Sequence, residues 1–157
     1  MKKFELTNEF ITNMFGTKLF RIRALVEFGD VEAGELGGYV EKESNLGHDD
    51  NAWVYGDAQV SGDALVYGNA LVCGDARVCG DARVCGNGDY AYAHGFGSVN
   101  RTTTFFRLKD GGVGVRCGCF YGTLAQFRDK IRETHGETKK AQEYLMLADL
   151  MKLRFEK

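Results

Sequence analysis

From Val54 to Asp89 the apolar positions recur on a beat of six: VYGDAQ, VSGDAL, VYGNAL, VCGDAR, VCGDAR, VCGNGD, with no insertion. Valine stands at 54, 60, 66, 72, 78 and 84, and alanine follows four residues after each of the first five. Valine is β-branched and suits a buried strand position. Gly-Asp or Gly-Asn suits a corner, because these residues tolerate left-handed backbone angles and bond to nearby amides. Alanine fits where the chain turns inward and space is short. A glycine in every repeat excludes a helix. Alternation that restarts after each corner excludes ordinary hairpins. The pattern predicts a coil of short parallel strands.

Weaker repeats extend the coil both ways. Phe28, Gly34, Val40 and Leu46 are six apart, whereas Leu46 to Val54 is eight, so two residues are inserted around His48. Tyr90 and Phe96 keep the valine register while His94 falls on the alanine position, which marks the end of the regular coil. Solenoid ends expose a cross-section of core and need caps. A short helix near Asn8–Phe15, stopped by Gly16 and followed by a strand around Lys18–Ala24, is expected at the N-terminal end. At the other end, Thr102–Leu108 and Val113–Cys119 flank a glycine turn and predict a hairpin. Thr123-Leu124-Ala125-Gln126 starts a helix with a capping box, carrying Leu124, Phe127 and Ile131 on one stripe. His135-Gly136 ends it. A second helix from about Thr138 to Phe155 places Ala141, Tyr144, Leu145, Ala148 and Met151 on one face. Leu147, Leu150 and Leu153 widen that face beyond one-sided packing, which predicts a further contact such as another copy. The domain reading is a β-solenoid with N-terminal cap over 1–100, its regular hexads at 54–89, and a ββαα C-terminal cap over 101–157.

These hexads resemble the hexapeptide-repeat proteins. The resemblance implies a mainly β fold, a left-handed parallel β-helix of triangular section with three hexads per coil, closed here by the C-terminal hairpin and two helices. The segments Arg21–Leu25, Gly37–Val40 and Asn45–Val54 also resemble a group of phage and prophage proteins in which a similar C-terminal segment follows the repeats.

Composition adds 21 glycines and no proline, consistent with repeated corners and not with a proline-rich linker. The chain has 157 residues, enough to bury a real core as one domain. Five cysteines are an odd number and read as reduced thiols. Charged and polar residues after Met1-Lys2-Lys3-Phe4-Glu5 point away from a signal peptide and toward the cytoplasm, that of a host cell if phage-encoded. No apolar run is long enough for a membrane span. Net charge is −2, unevenly spread: residues 1–100 carry 8 basic and 15 acidic side chains (−7), residues 101–157 carry 12 and 7 (+5).

Candidate chemistry is sparse. With three hexads per coil, Cys73, Cys79 and Cys85 leave from three different faces and do not converge on an ion. Cys117-x-Cys119 lies on one side of a strand but lacks two further ligands. No metal and no cofactor are expected. Arg128, Lys130, Arg132, Lys139 and Lys140 are interleaved with Asp129, Glu133 and Glu137 and read as solvated helix faces, not a nucleic-acid site. In an 18-residue coil Trp53 and Tyr55 stack on Leu71 and Cys73, giving an apolar outer face. Leu65 and Tyr67 stack on Arg83 and Cys85, and Gln59 and Ser61 on Arg77 and Cys79, giving a mixed and a polar face. Exposed apolar surface marks association, so Trp53, Tyr55, Leu65, Tyr67 and Leu71 are the expected partner-binding residues. The functional expectation is a non-enzymatic protein-binding module of phage or mobile-element origin, self-associating as a dimer or trimer and binding a host or phage protein, such as a host defence factor. One alternative is an acyltransferase of the hexapeptide type, using acyl-coenzyme A with His48 beside Asp49 and Asp50 as general base. Another is a virion or assembly component.

Overall fold

The computed structural model describes residues 2–97 and 101–156. β1 (Phe4–Thr12) and β2 (Lys18–Ala24) form an antiparallel hairpin, and β3 (Leu36–Val40) pairs with β2. The helix expected near Asn8–Phe15 is therefore a strand and its turn. Phe10 and Ile11 pair with Phe20 and Leu19, and aromatic and β-branched residues favour this pleated setting over a helix. Gly16, read as a helix stop, is the left-handed residue of the turn at φ 82°. The Asn13 side-chain carbonyl accepts from the amides of Phe15 and Thr17 and closes that turn.

The hexads form two-residue strands: β4 (Trp53–Val54), β5 (Gln59–Val60), β6 (Leu65–Val66), β7 (Leu71–Val72), β8 (Arg77–Val78) and β9 (Arg83–Val84). Each pairs in parallel with the strand three hexads away: β4 with β7, β5 with β8, and β6 with β9. The chain thus winds into a β-solenoid with three ladders, and β3 extends the middle ladder by pairing with β5. The six valines are fully buried, and the alanines at 52, 58, 64, 70, 76 and 82 are at most 1% exposed. Burying each valine contributes about 2 kcal/mol relative to exposure. Glycine corners keep the strands short. At Gly68, φ is 63° and a Cβ would lie 2.4 Å from the Cys85 carbonyl oxygen, so no other residue turns the chain there without strain.

The far end is closed by β10 (Tyr90–Phe96), β11 (Arg101–Arg107), β12 (Val113–Cys117) and β13 (Phe120–Thr123), an antiparallel sheet in sequence order. This sheet begins at Tyr90 within the segment assigned by sequence to the solenoid, and β13 adds a strand to the expected hairpin. The boundary drawn at residue 100 lies outside the described residues. Adjacent residues of β11 face opposite ways, as strand geometry dictates. Phe106 enters the solenoid core, and Phe105 enters a second core beneath the helices. α1 (Leu124–His135) starts at Thr123, whose hydroxyl accepts from the Gln126 amide. α2 (Lys139–Phe155) starts at Thr138, and Ala141, Tyr144, Ala148, Met151 and Phe155 are its buried residues. Backbone groups left open by the last coil are met by side chains. The Arg77 amide donates to the Thr104 hydroxyl, the Leu71 amide to Asn87, and the Tyr90 hydroxyl to the Leu71 carbonyl.

Candidate anion-binding cleft

The residues expected to bind a partner do not form one open face. Trp53 is stacked in register on Leu71, but it is fully buried. The rings of Phe4 and Phe28 meet it edge-on, with centroids 6.4 and 5.3 Å away. The expectation of an exposed Trp53 is thus overturned, because the N-terminal segments cover that ladder and remove the indole from water. Tyr55 and Leu71 are half-buried against the solenoid core. Leu65 and Tyr67 are half-buried over β9.

His48 lies in the two-residue insertion and holds the N-terminus. Its Nδ1 accepts from the Lys3 backbone amide at 3.0 Å, which places the ring proton on Nε2, facing Glu43 Oε1 at 3.1 Å. Its ring stacks on Phe4 at 4.4 Å. Both nitrogens are engaged within the chain. The Lys3 ammonium is almost entirely buried, and donates to the carbonyls of Asp50 and Ala52. Burial pushes its pKa down, while Asp50 and then Asp49 pull it back up. Asp50 in turn accepts from the Gly68 amide and ties the insertion to the next coil.

A concavity of about 590 Å³ lies elsewhere, where three parts of the chain meet. Its floor is the polar solenoid face, with Gln59 from β5 and Arg77 from β8. One wall is the β1–β2 turn, with Ile11 and Met14. The other wall is the C-terminal sheet, with His94, Arg101 and Arg116. Arg116 is 6% exposed. Its Nε donates to the Gly118 carbonyl, and the Phe15 ring covers its guanidinium at 5.0 Å. Strand alternation sends Arg116 to the side of the sheet opposite Val115, whose side chain joins the second core. Arg77 is half-buried, and its pKa is pushed down first by burial and then by Arg116. The Cys79 thiol is pushed up by burial and drawn back by a hydrogen bond from Arg116. His94 Nδ1 pairs with the Thr102 hydroxyl at 2.8 Å. Among the described residues no carboxylate lies within 4.0 Å of Arg77, Arg101 or Arg116. Three guanidiniums lining one cleft with no carboxylate in ion-pair contact make it a candidate anion site.

Sequence reasoning placed Arg77 on a polar face but passed over Arg101 and Arg116. A signal was present: Arg116 stands in a strand whose neighbours Val113, Val115 and Cys117 alternate, so it points at the solenoid. The cysteines at 73, 79 and 85 follow three different ladders, and only Cys79 is buried. Cys117 is half-buried beside Thr103 and Tyr144, while Cys119 is exposed. Among the described residues no group of three or more His, Cys, Asp or Glu is arranged to hold a metal ion, and no helix is long and apolar enough to cross a membrane.

Parallel ladders around a valine–alanine interior define the chain as a β-solenoid. Residues 58–74 match the YdcK beta solenoid repeat, a likeness confined to the regular coils. No curated protein matches the chain.

Proposed function

We propose that the chain is a non-enzymatic binding module in which the solenoid is a rigid frame and the arginine cleft receives an anionic segment of a partner protein. The observation that carries this reading is the set Arg77, Arg101 and Arg116, held on three separate elements around one concavity with no carboxylate partner. Keeping three guanidiniums together costs electrostatic repulsion, which an incoming anion relieves. The three-hexad coil supports assignment to the left-handed hexapeptide class, with the C-terminal sheet and two helices as its cap. The resemblance of Arg21–Leu25, Gly37–Val40 and Asn45–Val54 to phage proteins supports a mobile-element origin, and with it a host or phage protein as partner. Self-association is part of the same reading, supported by Met146, Leu150 and Leu153, which are exposed along one stripe of α2.

The test is affinity capture from cells expressing the tagged chain, run in parallel with an Arg77→Gln/Arg101→Glu variant of unchanged melting temperature. A stoichiometric partner that binds the purified parent chain and not the variant supports the reading. A partner held equally by both removes the cleft from recognition.

A further inference from the structure

We infer that the cleft seats a phosphate monoester dianion, gripped between Arg77 and Arg116. This rests on the cleft being the recognition site and specifies the group it recognises.

The charge balance favours a dianion. A carboxylate neutralises one guanidinium of the three, whereas a phosphate monoester carries close to two negative charges at pH 7 and offers three acceptor oxygens. The opposing charge that acts on Arg77 is that of Asp75, which does not line the cleft. The three cations are arginines, whose planar fork matches phosphate oxygens in pairs, and among the described residues no lysine lines the cleft.

The geometry is built before the ligand arrives. Arg116 spends Nε on the Gly118 carbonyl and is covered by the Phe15 ring, so the plane of its guanidinium is fixed where it lines the cleft. Arg77 leaves a two-residue strand whose amide is fixed by Thr104. His94 uses Nδ1 on Thr102 and keeps Nε2 for a ligand oxygen at the rim. Preorganisation of this kind lowers the ordering cost of binding.

Size and long-range charge argue against a nucleic-acid strand. A concavity of about 590 Å³ holds one small ligand or one modified side chain. The −7 charge of residues 1–100, which supply the solenoid, opposes the approach of a long polyanion. Phosphate monoesters come from two sources, a phosphorylated protein side chain or a small phosphate ester, and the same chemistry would recognise both.

The experiment is calorimetric titration of the full chain at fixed ionic strength with N-acetyl-phosphoserine amide, adenosine monophosphate, inorganic phosphate and N-acetyl-glutamate amide. A single-stranded oligonucleotide serves as competitor. Both monoesters should bind, displaced by inorganic phosphate, at least about tenfold more tightly than the glutamate derivative. The tighter of the two monoesters identifies the source. Arg77→Lys and Arg116→Lys keep the charge but lose the fork, and each should weaken the monoester by about tenfold. Arg128→Gln, on α1 outside the cleft, should change nothing.

Equal binding of phosphoserine and glutamate derivatives, or insensitivity to both lysine variants, overturns the phosphate assignment while leaving an acidic segment as ligand. An oligonucleotide that outcompetes the monoesters overturns it in favour of a nucleic acid. If none of the anions binds, the phosphate assignment fails. The cleft reading fails with it only if the captured partner is also held equally by the Arg77→Gln/Arg101→Glu variant.

Discussion

Val40 pairs in parallel register with Val60, twenty residues further along the chain, as Leu46 does with Val66, whereas the rungs between the later hexads join residues eighteen apart. The extra two residues sit in the loop around His48. They give the first coil a bulge, and the N-terminus is anchored on it. The first coil also carries a constraint of its own at Gly38. A Cβ there would lie 2.6 Å from the Ala58 carbonyl oxygen and 2.7 Å from Val54 Cγ1. Gly38→Ala should therefore cost about 1–3 kcal/mol by forcing the first coil off the second. Gly86→Ala, with no atom within 4 Å of its Cβ position, is the matched control. Denaturant unfolding of both variants checks this, and equal midpoints would refute the close-approach account.

His48→Ala should loosen the N-terminal strand without touching the arginine cleft. It removes the acceptor for the Lys3 amide and the ring stacked on Phe4, at a cost of about 1–3 kcal/mol. Hydrogen exchange should show the Lys3 amide losing protection while anion binding stays at the parent level. A variant with parental stability but altered ligand binding would reverse the roles assigned to His48.

Trp53→Ala should destabilise the fold by about 3–5 kcal/mol, since the indole is enclosed by Phe4, Phe28 and the first coils. Trp53→Phe should cost much less, because it keeps aromatic contact and removes the Nε1 proton, which is buried without an acceptor among the described residues. Thermal unfolding distinguishes the two. A Trp53→Ala variant that melts with the parent chain would return this residue to the surface.

Alkaline pH should unfold the chain through two tyrosines. Burial, reinforced by Cys73, raises Tyr90, and burial, reinforced by Cys117, raises Tyr144. The unfolded chain releases these protons near the ordinary tyrosine value of about 10, while the folded chain holds them. Their contribution is therefore complete below about pH 10 and is lost as pH rises above it, by up to about 1.4 kcal/mol per pH unit for each tyrosine. Tyr90→Phe and Tyr144→Phe should each flatten the decline of unfolding free energy measured in that range. An unchanged slope in both variants would count against folded-state protection of the two phenols.

Much of the fold is written in local sequence. A valine every six residues, a glycine corner and a narrow alanine specify a solenoid coil, because each repeat meets the same neighbours one coil away. The capping residues Thr123 and Thr138 likewise act within one turn of their own helices. What stayed hidden depends on which surfaces meet. Nothing near Trp53 in the chain shows that Phe4 and Phe28 will cover it. The stretch from Asn8 to Thr12 became strand because β2 was available to pair with it. Arg77, Arg101 and Arg116 lie 39 residues apart at the extremes, and only the closure of the C-terminal sheet over the last coil brings them to one cleft. Short-range propensity and periodicity decide the coil. Long-range burial and the meeting of like charges, which no local pattern encodes, decide the site.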